Sequence, residues 1–107
     1  IDDNTVIAYG GDIYTNNELP DHLLIHEERH LKQQKTYGLE IWVDNYLKDP
    51  SYRLKMELDS YRTQLKSIKD RELRNKVRLA SAKLLASPLY NNIVNYQEAF
   101  NLLNKHD

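Results

Sequence analysis

The sequence predicts an α+β chain that is mostly α: a short N-terminal β-hairpin followed by about five helices. Three observations carry this. β-branched and aromatic residues flank a glycine pair only near the start, at Thr5 to Thr15. Beyond residue 18, apolar residues recur at three- and four-residue steps almost to the end. Only three glycines and three prolines interrupt the 107 residues, so the periodic stretches are long.

Each element follows from its residues. Thr5, Val6, Ile7, Ala8 and Tyr9 read as a strand, Gly10 and Gly11 as the turn, and Asp12 to Thr15 as the returning strand. Such a hairpin either offers an edge for an extended peptide or simply caps the helices behind it. After Asn16 and Asn17 a helix runs over residues 19–37, with Pro20 at its start, Gly38 at its end and Leu19, Leu23, Leu24 and Ile25 as apolar surface. Residues 39–47 form a short helix with Leu39, Trp42, Val43 and Tyr46 on one face. The lone Trp42 reads as a packing anchor. Pro50 opens a helix reaching residue 69, whose stripe is Leu54, Leu58, Tyr61, Leu65 and Ile68, with Lys55, Asp59, Arg62 and Lys66 outside it. Residues 70–86 give a fourth helix with Leu73, Val77, Ala80 and Leu84 inward. From Ser87 and Pro88 a last helix is expected to continue to about residue 105 on Leu89, Ile93, Tyr96, Phe100 and Leu103.

This is one domain: hairpin in residues 1–18, the helices of the candidate site in 19–69 and a helical scaffold in 70–107. No apolar run approaches the roughly 18 residues needed to span a bilayer, so no membrane partner is expected. Zero cysteines exclude disulfides and thiolate metal ligands. The first residue, Ile1, is not Met, and an upstream piece is compatible with that. A net charge of −1 hides an uneven distribution. Residues 1–30 carry seven acidic side chains against Arg29 alone, and residues 62–83 carry eight basic ones against Asp70 and Glu72. The first end attracts cations. The second suits an acidic or phosphate-bearing partner, although a nucleic-acid role ranks lowest, because a helix with outward Lys and Arg is usually just solvated.

The chemistry concentrates in His26-Glu27-Glu28-Arg29-His30, an HExxH pattern well inside the 19–37 helix. Residues four apart on a helix differ by about 40° in azimuth and about 6 Å along the axis. Both imidazoles therefore project from one face at a spacing that suits a single metal ion, and Glu27 sits on the adjoining face as a candidate base. A catalytic zinc takes three protein ligands. His22 lies about 12 Å along the axis from His30 and is expected to be an outer residue. Gln33 and Thr36 exclude the longer HExxHxxGxxH form. Glu57 is the best candidate for the third ligand, because a carboxylate at the margin of an apolar stripe needs a partner.

The pattern resembles gluzincin-type zinc metallopeptidases, and more narrowly the small zincin-like proteins encoded by phages and bacteria. There the HExxH helix ends in a Gln-bearing turn (Leu31, Lys32, Gln33, Gln34), an aromatic helix follows (Ile41 and Trp42 to Tyr46), and a segment after a proline carries the ligand (Met56, Glu57, Leu58, Asp59, Ser60, Tyr61). The likeness covers about residues 13–65. It implies Zn2+ held by His26, His30 and Glu57, Glu27 as general base in peptide-bond hydrolysis, and Tyr61 as either an oxyanion donor or a core tyrosine whose hydroxyl reaches water, with Arg62 and Tyr52 weaker candidates for the donor role. One departure stands out. Related peptidases often carry an acid four positions after the ligand Glu, orienting a ligand histidine, and here that place is Tyr61, which leaves Asp59 or Gln34 to orient it. The resemblance implies a peptide or protein substrate. The competing expectation is a non-catalytic structural or virion-associated protein that keeps the fold and contacts other virion or bacterial proteins.

Overall fold

A computed structural model describes residues 5–105; Ile1, Asp2 and Asp3 lie outside the described residues. Strands β1 (Val6–Tyr9) and β2 (Asp12–Thr15) pair antiparallel, with Val6 opposite Thr15 and Tyr9 opposite Asp12. Gly10 and Gly11 make the turn at φ of 62° and 100°, backbone that side-chain-bearing residues seldom adopt. Five helices follow: α1 (Asp21–Tyr37), α2 (Leu39–Lys48), α3 (Pro50–Ser67), α4 (Arg71–Leu85) and α5 (Tyr96–Leu103). The fold is thus α+β and mostly α, as the sequence predicts. None of the described helices is long and apolar enough to cross a membrane.

Helix boundaries obey local chemistry. Asp49 accepts hydrogen bonds from the backbone N–H groups of Ser51 and Tyr52, with Pro50 in the first turn of α3. Asp70 does the same for Leu73 at the start of α4. Gly38, at φ 92°, turns α1 into α2.

Helix α3 is the central element. Its main partner is α1, with α2 against both, and its other side meets α4, α5 and the short 3-10 turn Pro88–Tyr90. On that second side Leu54, Leu65, Ala82, Leu85, Tyr90, Ala99 and Leu103 form one apolar cluster, with Leu58 and Tyr61 packed against it.

The C-terminal third departs from expectation. In place of one helix from Pro88, the 3-10 turn ends at Asn91 and Asn92, both in the left-handed region at φ 58° and 51°. Asparagine tolerates that conformation better than other residues with side chains. A new helix then starts at Asn95, whose side chain accepts from the Glu98 N–H while the Glu98 carboxylate accepts from the Asn95 N–H. The break shifts the buried face: Leu89, Ile93 and Tyr96 are exposed, and Tyr90, Ala99 and Leu103 are buried. In α4 the inward face is Ser81, Ala82 and Leu85 with Val77 beside them, and Leu73, Ala80 and Leu84 face out. Small residues let α5 approach closely there, whereas the sequence reading gave weight to bulk.

Candidate metal centre

The interface of α1 and α3 is polar. His26, Glu27, His30, Gln33 and Gln34 from α1 and Glu57, Ser60 and Gln64 from α3 are all buried. Helical spacing places His26 and His30 on one face of α1, and Glu57 meets them from α3. The Nε2 of His26 lies 3.0 Å from Glu57 Oε1, and the Nε2 of His30 lies 3.0 Å from Glu57 Oε2. One donor atom from each of the three residues falls within 4.8 Å of the others, so the group can hold a metal ion. An ion at about 2.1 Å from tetrahedral donors needs them about 3.4 Å apart, somewhat more than the 3.0 Å of the two nitrogen–oxygen separations present.

What surrounds the three residues fixes their orientation. Gln33 Nε2 donates to the Met56 carbonyl (3.0 Å) and to Asp59 Oδ2 (2.8 Å), so its Oε1 is turned to the indole N–H of Trp42 and to His30 Nδ1, 2.9 Å away. The Nδ1 of His30 is therefore an N–H donor, with Ser60 Oγ 3.2 Å off, and Nε2 is the atom that faces Glu57 at the centre. Gln64 repeats the arrangement: its Oε1 accepts from His26 Nδ1 at 2.9 Å and its Nε2 donates to His22 Nδ1 at 2.8 Å. A neutral imidazole so placed would turn a lone pair toward a carboxylate. The arrangement is stable when a proton or a metal cation lies between them.

Electrostatics agree with this geometry. Burial opposes ionisation of Glu57, but hydrogen bonds from His26 and His30 outweigh it and hold the carboxyl well below the ordinary range. Burial alone would lower His30, yet the bond and charge of Glu57 raise it above the ordinary 6.5. The Tyr46 hydroxyl donates a short hydrogen bond to Glu57 Oε2. Burial and that carboxylate raise its pKa strongly, so it remains a donor.

Glu27 and Tyr61, singled out as base and oxyanion donor, lie beside the three residues. Glu27 is 8% exposed, its Oε2 3.9 Å from His26 Nε2, and burial raises its pKa against the lowering pull of the two imidazoles. The Tyr61 ring packs edge-on against His26 with centroids 4.5 Å apart, and burial, with Glu57 and Glu27 nearby, raises its hydroxyl pKa. The weaker donor candidates sit elsewhere: Arg62 donates to the Leu102 carbonyl, and Tyr52 packs against Tyr37.

The orienting residues differ from expectation. Asp59 reaches His30 only through Gln33 and is otherwise paired with Arg29 at 2.8 Å. Gln34 serves the hairpin, its Oε1 accepting from the Gly10 N–H and its Nε2 donating to the Ala8 carbonyl. The Ala8 carbonyl belongs to β1 and the Gly10 N–H to the turn, so along Ala8 to Gly10 the hairpin acts as a cap tied to α1. Gln33, Gln64, Ser60 and Tyr46 are the partners that sequence reasoning missed. Their signal was present: polar residues at inward helical phase beside His30 and Glu57.

A cavity of about 530 Å³ adjoins this region, lined by Gly10, Gly11, Leu31, Gln34 and Leu39 among others. Leu31 and Gln34 follow Glu27 by one and two turns on neighbouring azimuths of α1. Compared with known proteins, the chain matches no protein-family model, no curated protein and no solved structure.

Proposed function

We propose that this chain is a zinc-dependent peptidase of gluzincin type, in which His26, His30 and Glu57 hold the ion and Glu27 is the general base. The observation that carries the reading is the convergence of two inward-turned imidazole nitrogens and one carboxylate within 4.8 Å. Two histidines from one helix and a glutamate from a later one form the donor set of a hydrolytic zinc site, and zinc is the default ion for nitrogen and carboxylate donors in this pattern. When bound, the ion supplies Lewis acidity to water and to the scissile carbonyl.

The protein's own groups supply the rest. Glu27, with its pKa raised by burial, accepts the proton of the attacking water and returns it to the departing amine. Tyr61 keeps its hydroxyl proton and can donate to the developing oxyanion. Tyr46 and the two glutamines hold Glu57 and the imidazoles in place. The cavity beside Leu31 and Leu39 suits an apolar side chain of an extended substrate.

One observation favours a second reading, a non-catalytic structural protein with a closed metal centre: His26, His30 and Glu57 are only 4%, 4% and 6% exposed. Metal analysis of protein purified without chelator, combined with turnover of a mixed peptide library, separates the two. The peptidase reading expects stoichiometric zinc and activity that drops about 10²- to 10⁴-fold in Glu27→Gln at unchanged metal content. Zinc without turnover supports the structural reading, and turnover that survives Glu27→Gln excludes Glu27 as base.

A further inference from the structure

We infer that the cavity beside the hairpin turn seats a peptide segment carrying a bulky apolar residue and, two positions away from it, an acidic one. The inference rests on the peptidase reading for the segment's identity as substrate, and it adds the substrate class. The spacing comes from α1. Glu27, Leu31 and Lys35 are four residues apart, so they lie along one ridge of the helix at steps of about 6 Å. Leu31 and Lys35 both line the cavity, and Glu27, the assigned base, comes one turn before it. An extended peptide advances about 3.3 Å per residue and turns every second side chain to the same side. Laid along this ridge with its scissile bond at Glu27, it brings one side chain to Leu31 and the next on that side to Lys35.

The cavity suits such a pair. Its volume of about 530 Å³ falls in the range of roughly 300–1,000 Å³ common for ligand pockets. Leu31 and Leu39 give it apolar walls. Gly10 and Gly11 add a wall of bare backbone, and apart from its chain neighbours nothing lies within 4 Å of the place where a Gly11 side chain would begin. A ligand chain can therefore approach closely. Gln34, also in the lining, has both ends of its amide engaged by the Gly10 N–H and the Ala8 carbonyl, so this wall is set before anything binds.

Charge decides the second residue. Lys32 and Lys35 line the cavity and are exposed, and neither ammonium has an ion-pair or hydrogen-bond partner among the described residues. Lys48, by contrast, pairs with Asp44 at 2.7 Å. No acidic side chain lines the cavity among the described residues, so an acid on the peptide meets two unmatched cations and a basic residue is repelled. A nucleic-acid strand would meet the lysines but leave the apolar walls unused.

The test measures binding and turnover separately on the full chain. Binding is read by fluorescence anisotropy of labelled, end-capped octapeptides on Glu27→Gln, which leaves them intact; turnover is read on the zinc-loaded wild type. One peptide carries Phe with Glu two positions away, a second has Lys in place of that Glu, and a third has Ala in place of Phe. The first should bind about tenfold tighter than the third and about two- to fivefold tighter than the second. Lys32→Glu combined with Lys35→Glu should reverse the order of the first and second peptides, and Leu39→Ala should remove most of the preference for Phe. None of these three positions belongs to the apolar cluster, so metal content should match that of the wild type. Equal affinity for the three peptides overturns the inference. A preference untouched by the charge reversal does so too, because the peptide then sits elsewhere. Competition by 3-phenylpropionate as strong as that by the first peptide overturns it in favour of a small free carboxylate. Selective binding without turnover keeps the inferred docking and sinks the peptidase reading, and turnover without selectivity does the reverse.

Discussion

The two sides of α3 are built from different materials. Toward α1 the helix buries Glu57, Ser60 and Gln64 against His26, His30 and Gln33; toward α4 and α5 it buries Leu54 and Leu65 against Ala82, Leu85, Ala99 and Leu103. The apolar side is held by area removed from water and by packing, which are non-directional. The polar side is held by hydrogen bonds whose donors and acceptors must all match, since each buried polar group left unmatched costs free energy. The apolar packing therefore lies on one side of a single helix, and the group that can hold a metal ion on the other.

The largest effects should come from exchanging an insult between the two sides. Glu57→Ala removes one of the three groups that can hold a metal ion and leaves two imidazoles without their shared anion. Metal retention should fall by more than the 10- to 100-fold seen when only an outer-shell partner is lost, read by competition with a chromogenic chelator. Leu85→Ala, at 1% exposure in the apolar cluster, should lower unfolding free energy by about 2–5 kcal/mol in denaturant titrations while the folded protein keeps its metal affinity. If each variant produced both losses, the two interiors would be one cooperative unit and the contrast would fail.

The same contrast explains what was legible in the sequence. The polar side was readable because its chemistry has a spacing: His26 and His30 four apart, and Glu57 interrupting an apolar stripe. The stripe of α3 itself was readable, with Leu54, Leu65 and Ile68 buried. Its counterpart in α4 was not, because Ser81 and Ala82 are buried through their smallness and Leu73 and Leu84 are exposed despite their bulk. Periodicity scored by hydrophobicity misreads a face whose function is close approach. The break at Asn91 and Asn92 was hidden for a related reason, since the Asn95 and Glu98 capping pair that restarts the helix has no apolar signature. Gln33 and Gln64 were overlooked because a polar residue near a site looks like surface until its partners are known.

Those glutamines give the intermediate prediction. Gln64→Leu removes the oxygen that accepts from His26 Nδ1 and should weaken metal binding by about 10- to 100-fold, with secondary structure by circular dichroism retained. Acidity sharpens the same point through His30 and Glu57. The raised pKa of His30 makes its contribution to metal-free stability full below the ordinary 6.5 and lost as pH rises through its folded value. The lowered pKa of Glu57 makes its contribution full above the ordinary 4.5 and lost as pH falls. For these two groups the metal-free protein is best served between those limits. A metal ion competes with the His30 proton, so the zinc-induced rise in melting temperature should be larger at pH 8 than at pH 6.

The smallest effect is expected at His22, and it tests how far the polar network reaches. Gln64 could present either end of its amide to His26, and only Oε1 accepts the Nδ1 proton that leaves Nε2 free for a metal. His22 Nδ1, accepting from Gln64 Nε2 at 2.8 Å, favours that orientation. His22→Ala removes the preference but not the amide, so its cost in metal affinity should stay below about threefold, well under that of Gln64→Leu. Zinc affinity measured side by side in the two variants decides the matter. Equal losses would mean that the Gln64 amide serves His26 only while His22 holds its orientation, so the polar network would extend as far as His22, one turn before His26 on α1.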